Sequence, residues 1–158
     1  MKNRLRQSLV MGLICAPVGF VVGYVLLSDA PGDGLKHFQY YAAVAAFLAP
    51  TLAWWLLVER KSRLTLGRGI GAGALGAAVA HYVCWYLMIV GSNIDYWLLQ
   101  GPGSSLGEAP IDVINGLWGA AGYALLSYLV IGWATLPAGA LIGLAYYYFL
   151  MKRSAANT

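Results

Sequence analysis

The feature that most constrains this chain is a series of long stretches without a charged side chain. Uncharged apolar runs cover residues 8–28, 38–58 and 69–91, and residues 113–151 form a further stretch of 39 residues without charge. About 20 apolar residues cross the roughly 30 Å hydrocarbon core of a bilayer as an α-helix. With 60% hydrophobic and only 10% charged residues, the chain is predicted to be an all-α integral membrane protein.

The last uncharged stretch is too long for one simple crossing. As one straight helix its 39 residues would extend about 58 Å at 1.5 Å per residue, about twice the hydrocarbon core. Two arrangements fit this length. Either a short interfacial or re-entrant helix over about 110–123 precedes a crossing over 124–150, or two tightly turned crossings are broken near Pro137.

The basic residues decide between these arrangements. Four crossings place nine of the ten basic residues on one side of the membrane, together with both termini, and leave only Lys36 opposite. The positive-inside rule expects this pattern at the cytoplasmic face. We therefore predict a four-helix transmembrane bundle with both termini cytoplasmic, an outer loop over 92–112 and the interfacial helix over about 110–123. A bacterial inner membrane suits this charge pattern.

Small residues recur one helical turn apart in the predicted crossings. Such pairs let helix backbones approach closely, which stabilises helix association inside lipid. We expect them mainly to pack the bundle, with self-association or docking to a partner membrane subunit as the alternative. The pairs are Gly19 with Gly23, Gly67 with Gly71, Gly69 with Gly73, Ala72 with Gly76, and Gly139 with Gly143.

His81 is the one ionisable residue deep in a predicted crossing, and prolines lie at about the same depth in the other three. A proline inside a helix leaves the carbonyl four residues earlier without its N–H partner, and an imidazole has an N–H to offer. We predict that His81 meets such a carbonyl or the hydroxyl of Thr51 or Thr135. A structural role is favoured over a ligand-binding or proton-transfer role, because no acid accompanies the histidine. This midplane layer comprises His81, Pro17, Pro50, Pro137, Thr51 and Thr135.

The acidic residues gather on the predicted outer face. Carboxylates can hold divalent cations, but the topology alone places acids there, and Asp112 suits the N-terminus of a helix. We therefore expect no metal and no resident cofactor. The predicted acidic cluster comprises Asp29, Asp33, Asp95, Glu108 and Asp112.

No phosphate-binding loop, metalloprotease motif or nucleophile elbow occurs in the sequence, so an enzyme is not the favoured interpretation. The first hypothesis is a protein that acts by contact within the membrane, as an accessory subunit or an immunity or protective protein. The second is a small transporter or channel with a midplane site around His81. A membrane enzyme that uses the outer carboxylates is the third. We expect the lipid bilayer and membrane proteins, including a second copy, as partners, and no nucleic acid.

Overall fold

A computed structural model of the protein describes residues 2–27, 37–61, 64–101 and 108–155, with the side chains of the first segment described over 5–25. The α-helices are α1 (Lys2–Leu27), α2 (Phe38–Trp54), α3 (Leu66–Leu98), α4 (Val113–Ser127) and α5 (Trp133–Ala155). A π turn, Trp55–Glu59, continues α2, and a second, Tyr128–Gly132, joins α4 to α5. Within the described residues the chain is therefore helical, with four continuous spans long and apolar enough to cross a membrane. We call these spans rods: α1 is the first, α2 with its π turn the second, α3 the third, and α4 to α5 with the π turn between them the fourth.

The third rod is longer than the sequence pattern predicts. α3 continues through residues 92–98, which form the start of the predicted outer loop. This segment contains no glycine or proline to stop the helix. The Asn93 side chain also donates to the carbonyl of Ile89 at 2.9 Å and to that of Ile111 at 2.8 Å, which ties the end of α3 to the chain just before α4.

The fourth rod runs without a helical break from Val113 to Ala155, 43 residues. The predicted boundary between an interfacial helix and a crossing, near residue 123, lies inside α4, and the irregularity is the π turn Tyr128–Gly132 instead. The π turn lies one turn before Pro137, which has no backbone N–H to contribute to the hydrogen bonds of the helix. The Thr135 hydroxyl bonds the Ile131 carbonyl at 3.3 Å within this weakened part of the helix.

Consecutive rods pack as antiparallel neighbours, in the order α1, α2, α3 and then α4–α5. The start of α1 meets the end of the second rod through Ser8 and Glu59, and the start of α3 meets α5 through Gly69 and Gly143. The beginning of α1, the connection after Glu59 and the end of α5 therefore share one end of the bundle, which we call the basic end. We call the opposite end, which carries Asp95, Glu108 and Asp112, the acidic end.

Glycines allow the close contacts that hold α3 in the centre. A Cβ atom added at Gly73 or at Gly139 would overlap the backbone carbonyl of the other glycine, and one at Gly76 would lie 2.7 Å from the Cα of Pro50. Most of the predicted small-residue pairs thus pack inside the bundle. Gly67 and Gly71 differ, because a Cβ at either would have no neighbour within 4 Å among the described residues.

Large side chains fill the basic end. Trp54 is fully buried with its ring 4.8 Å from that of Tyr146, and the Tyr146 hydroxyl donates to the Gln7 carbonyl at 3.0 Å. A Glu59 carboxylate oxygen accepts the Ser8 backbone N–H at 2.8 Å. We call this cluster the basic-end core; its buried members are Met11, Cys15, Trp54, Val58, Ala72, Tyr146 and Leu150.

Candidate intramembrane binding site

A cavity of about 540 Å³ lies in the middle of the bundle, between the α1–α2 pair and the fourth rod. α1 packs mainly on α2 and approaches α5 at the basic end. Beyond the basic-end core, the α1–α2 pair and the fourth rod diverge and leave this space. α3 forms its floor through small residues and His81. Most of the remaining lining is aliphatic or glycine, from α1, α2 and the fourth rod.

The polar part of the cavity is a group of three side chains, one from the middle of α3 and two from the fourth rod. The Nε2 atom of His81 lies 2.8 Å from the Thr135 hydroxyl, and its Nδ1 atom is hydrogen-bonded to the Ser127 hydroxyl. All three residues line the cavity and are partly buried. We call them the His81 layer.

The π turn between α4 and α5 is what brings the two hydroxyls to one imidazole. Positions eight apart, such as Ser127 and Thr135, lie about 80° apart around a regular helix of 3.6 residues per turn. A π turn has i to i+5 bonding and rotates less per residue, which reduces this angle. Tyr128 at its start packs against His81 with ring centroids 4.8 Å apart and donates its hydroxyl to the Ala78 carbonyl at 2.5 Å. π turns inside helices are often found at functional sites.

Aromatic rings close the cavity towards the acidic end. Trp85, one turn beyond His81, stacks on Tyr123 with centroids 4.9 Å apart and packs against Phe38 at 5.4 Å. All three rings line the cavity. The site is therefore bounded by rings on one side and by the Gly73–Gly139 contact on the other, with the His81 layer between them.

The structure brings together part of the predicted midplane layer. His81, Pro50 and Thr135 line the cavity, and the contact with Thr135 is one of those predicted for His81. Pro17 and Pro137 are exposed on the outside of the bundle and do not line the cavity, and Thr51 bonds the Phe47 carbonyl of its own helix at 2.6 Å. Depth alone, which the sequence gives, does not say towards which side a residue faces.

Ser127 and Tyr128 are site residues that the sequence analysis missed. Ser127 follows a run of apolar residues and glycine, so it stands out as a polar side chain within a predicted crossing. In a regular helix Ser127 and Thr135 face different directions. The π turn that brings them together has no recognisable sequence pattern.

The acidic residues of the predicted outer cluster show no common site among those the structure describes. Asp95, Glu108 and Asp112 are exposed, and no group of three histidine, cysteine or acidic residues in the described chain could hold a metal. Asp29 and Asp33 lie outside the described residues. Cys15 and Cys84 are free and buried.

Asp112 caps α4, as its position in the sequence predicted. One carboxylate oxygen accepts the backbone N–H groups of Ile114 and Asn115, each at 3.0 Å, and the other accepts the Asn115 side chain at 2.6 Å. The bonds from Asn115, first from its backbone and then from its side chain, hold the pKa of Asp112 below its usual value. The carboxylate is therefore engaged in helix capping.

Comparison of the chain with family models, with curated proteins and with solved structures finds no match.

Proposed function

We propose that this protein binds an apolar, membrane-borne molecule in the cavity at the middle of the bundle. The observation that carries this proposal is a polar layer, His81 with Ser127 and Thr135, on the wall of an otherwise apolar cavity. Apolar walls with a few placed polar groups are the usual composition of a small-molecule site. The proposal corresponds to the midplane site around His81 that we expected for a small transporter or channel.

The size of the cavity favours a small molecule over a protein helix. Its volume of about 540 Å³ lies within the usual range for ligand pockets, about 300–1,000 Å³. Two turns of an α-helix, a cylinder about 10 Å across and about 11 Å long, already occupy roughly 850 Å³. At about 30 Å³ per water-sized group, the cavity holds roughly 18 such groups. This is the size of one alkyl or isoprenoid chain with a small head.

Photolabelling in nanodiscs tests whether the cavity takes such a molecule. A tetradecane that carries a diazirine should label the cavity residues Trp85 and Tyr123, and an excess of plain tetradecane should compete with this labelling. Ala80→Phe fills the cavity and should abolish the competable fraction, whereas Ala145→Phe, on the exposed side of α5, should preserve it. Labelling that is equal in both variants would contradict the proposal.

We further propose that the basic end faces the cytoplasm of a bacterial cell and that both termini lie there. The contacts of Ser8 with Glu59 and of Gly69 with Gly143 put the basic segments at one end of the bundle, which supports this orientation under the positive-inside rule. The first turns of α4 then lie at the level of the outer interface, with the exposed ring of Trp118. A reporter fused after Thr158 should be active only on the cytoplasmic side; activity outside would reverse the orientation.

A second candidate function is contact with another membrane helix, as an accessory or protective protein. The observation that favours it is the open surface at Gly67 and Gly71, where an added Cβ would have no neighbour within 4 Å among the residues the structure describes, in contrast to the packed pairs. Such a surface lets a further helix approach closely. The partner would be a second copy or another membrane subunit.

Association in mild detergent tests this second function. Gly71→Leu should remove a dimer or a copurifying membrane protein, whereas Gly122→Leu, which has equally open space around it on α4, should have no effect. A wild-type chain that always runs alone as a monomer would count against contact as the function.

A further inference from the structure

The hydrogen atoms of the His81 layer can be assigned from the partners of its hydroxyl groups. The Thr135 hydroxyl has one hydrogen, and the Ile131 carbonyl, an acceptor with no hydrogen of its own, lies 3.3 Å away. The arrangement that makes hydrogen bonds of both contacts has Thr135 donating to Ile131 and accepting from the Nε2 atom of His81, 2.8 Å away. In this arrangement the imidazole carries its hydrogen on Nε2.

This tautomer fixes the remaining bond. A neutral imidazole with its hydrogen on Nε2 has only a lone pair on Nδ1, so the Ser127 hydroxyl must donate to it. The neighbouring Tyr128 hydroxyl donates to the Ala78 carbonyl. Each of the four polar hydrogens in and beside the layer is thus already used inside the protein.

Acceptor capacity is what the layer retains. A hydroxyl oxygen has two lone pairs, and in this arrangement Ser127 accepts nothing from His81 while Thr135 accepts one bond from it. Both side chains line the cavity. The His81 layer therefore offers lone pairs to a ligand and no hydrogen-bond donor; the N–H and O–H donors elsewhere in the lining belong to Trp85 and Tyr123, towards the acidic end.

We propose that the ligand is an apolar molecule with a hydroxyl group, such as a long-chain or isoprenoid alcohol, whose O–H donates to Ser127 or Thr135. This inference rests on the proposed binding function and names the chemistry that the site selects. A ketone, aldehyde or ether of the same shape brings only acceptors, so at the His81 layer its oxygen faces lone pairs and gains no bond from them. Sites that require a hydrogen bond discriminate strongly against analogues that lack it, because buried polar groups then remain unpaired.

Competition with matched ligands tests this selectivity. Tritiated tetradecanol is bound to the purified protein in nanodiscs and displaced by unlabelled tetradecanol, by its methyl ether or by tetradecane. We expect the alcohol to compete at a concentration at least tenfold lower than the ether, and the ether to resemble the alkane. Equal displacement by alcohol and ether would overturn the donor requirement and leave the apolar site intact. Failure of tetradecanol to bind, together with failure of the alkane to compete in photolabelling, would overturn the binding function itself.

Variants of the two hydroxyl residues locate the effect. Ser127→Ala and Thr135→Val each remove lone pairs from the wall, but Ser127→Ala also frees the Nδ1 lone pair of His81. The triple variant that adds His81→Leu should therefore lower the preference for the alcohol over the ether to less than threefold. Thr51→Val is the matched control, because its hydroxyl bonds its own helix at Phe47 and does not line the cavity, so the preference should be unchanged. Tryptophan fluorescence and elution volume in detergent show whether each variant is folded. A preference that persists in a folded triple variant would contradict the assignment.

Discussion

The two π turns of this protein lie beside very different surroundings. At the basic end, the π turn Trp55–Glu59 adjoins the basic-end core, where Trp54 and Tyr146 are buried and Glu59 receives the Ser8 N–H. At mid-depth, the π turn Tyr128–Gly132 adjoins the His81 layer, whose residues are only partly buried beside a cavity. The same helix irregularity is thus associated once with a filled interior and once with an open one.

This difference separates structural from binding polar groups. Inside a filled region a polar side chain can meet only the protein, so its contribution is stability. Beside a cavity the same kind of group can meet a ligand as well. Burial of the neighbourhood, more than the presence of a polar residue in a crossing, therefore identifies the candidate site.

The largest expected effect concerns the basic-end core. Trp54→Ala should lower the free energy of unfolding by about 3 kcal/mol, because a large, fully buried ring is removed from a filled region. Trp133→Ala is the control, since Trp133 is 76% exposed on the fourth rod and its loss should cost well under 1 kcal/mol. Unfolding in mixed detergent measures both, and similar losses would mean that the basic end is no more tightly packed than the lipid-facing surface.

The next largest effect lies at the boundary between the two regions. Gly73→Ala should cost about 1–3 kcal/mol, because the new methyl group overlaps the backbone of Gly139 and forces α3 and α5 apart. Gly71→Ala, where a Cβ meets no atom within 4 Å in the described part of the chain, should be neutral or slightly stabilising through its better helix propensity. The same unfolding measurement compares the pair, and a harmless Gly73→Ala would contradict the contact.

A smaller effect is expected in the His81 layer. His81→Leu should lose about 1 kcal/mol because two hydroxyls lose their partner, whereas His81→Gln, which offers a donor and an acceptor, should keep most of the stability. A double-mutant cycle with Thr135→Val should give a coupling of about 0.6 kcal/mol, the average for hydrogen bonds between membrane helices. Equal behaviour of the Leu and Gln variants would contradict a hydrogen-bonding role.

The smallest and most local effect is at the acidic end. Asp112→Ala should speed hydrogen exchange at the amides of Ile114 and Asn115 and leave the basic-end core unchanged. The folded protein holds the pKa of Asp112 below its ordinary value of 3.8, so the capping contribution is fully present above that value and is lost as the pH falls through the lower folded value. Exchange at these two amides that does not depend on pH between 5 and 2, after correction for intrinsic rates, would contradict the cap.

Hydropathy and charge were enough to predict the four helical spans, because long apolar stretches have few alternatives in a membrane. The capping role of Asp112 was also predictable, since a carboxylate that precedes a helix has a defined partner set. The continuation of α3 to Leu98 was not predicted, because one of the bonds that hold it, from Asn93 to the Ile111 carbonyl, joins α3 to a segment 18 residues further along the chain. Nor was the pairing of Ser127 with His81, which depends on the rotation of one π turn.

The divergence of α1 from the fourth rod has a consequence for how occupancy of the cavity is measured. A molecule that enters from between the lipids competes with acyl chains, which are present at nearly pure-liquid concentration. The relevant scale is then the mole fraction of the molecule in the bilayer, and its concentration in water matters only through partitioning. To fill the site with a minor membrane component, the cavity needs only to bind that molecule modestly better than it binds lipid chains. The difference between the two affinities matters, and a high absolute affinity is not required.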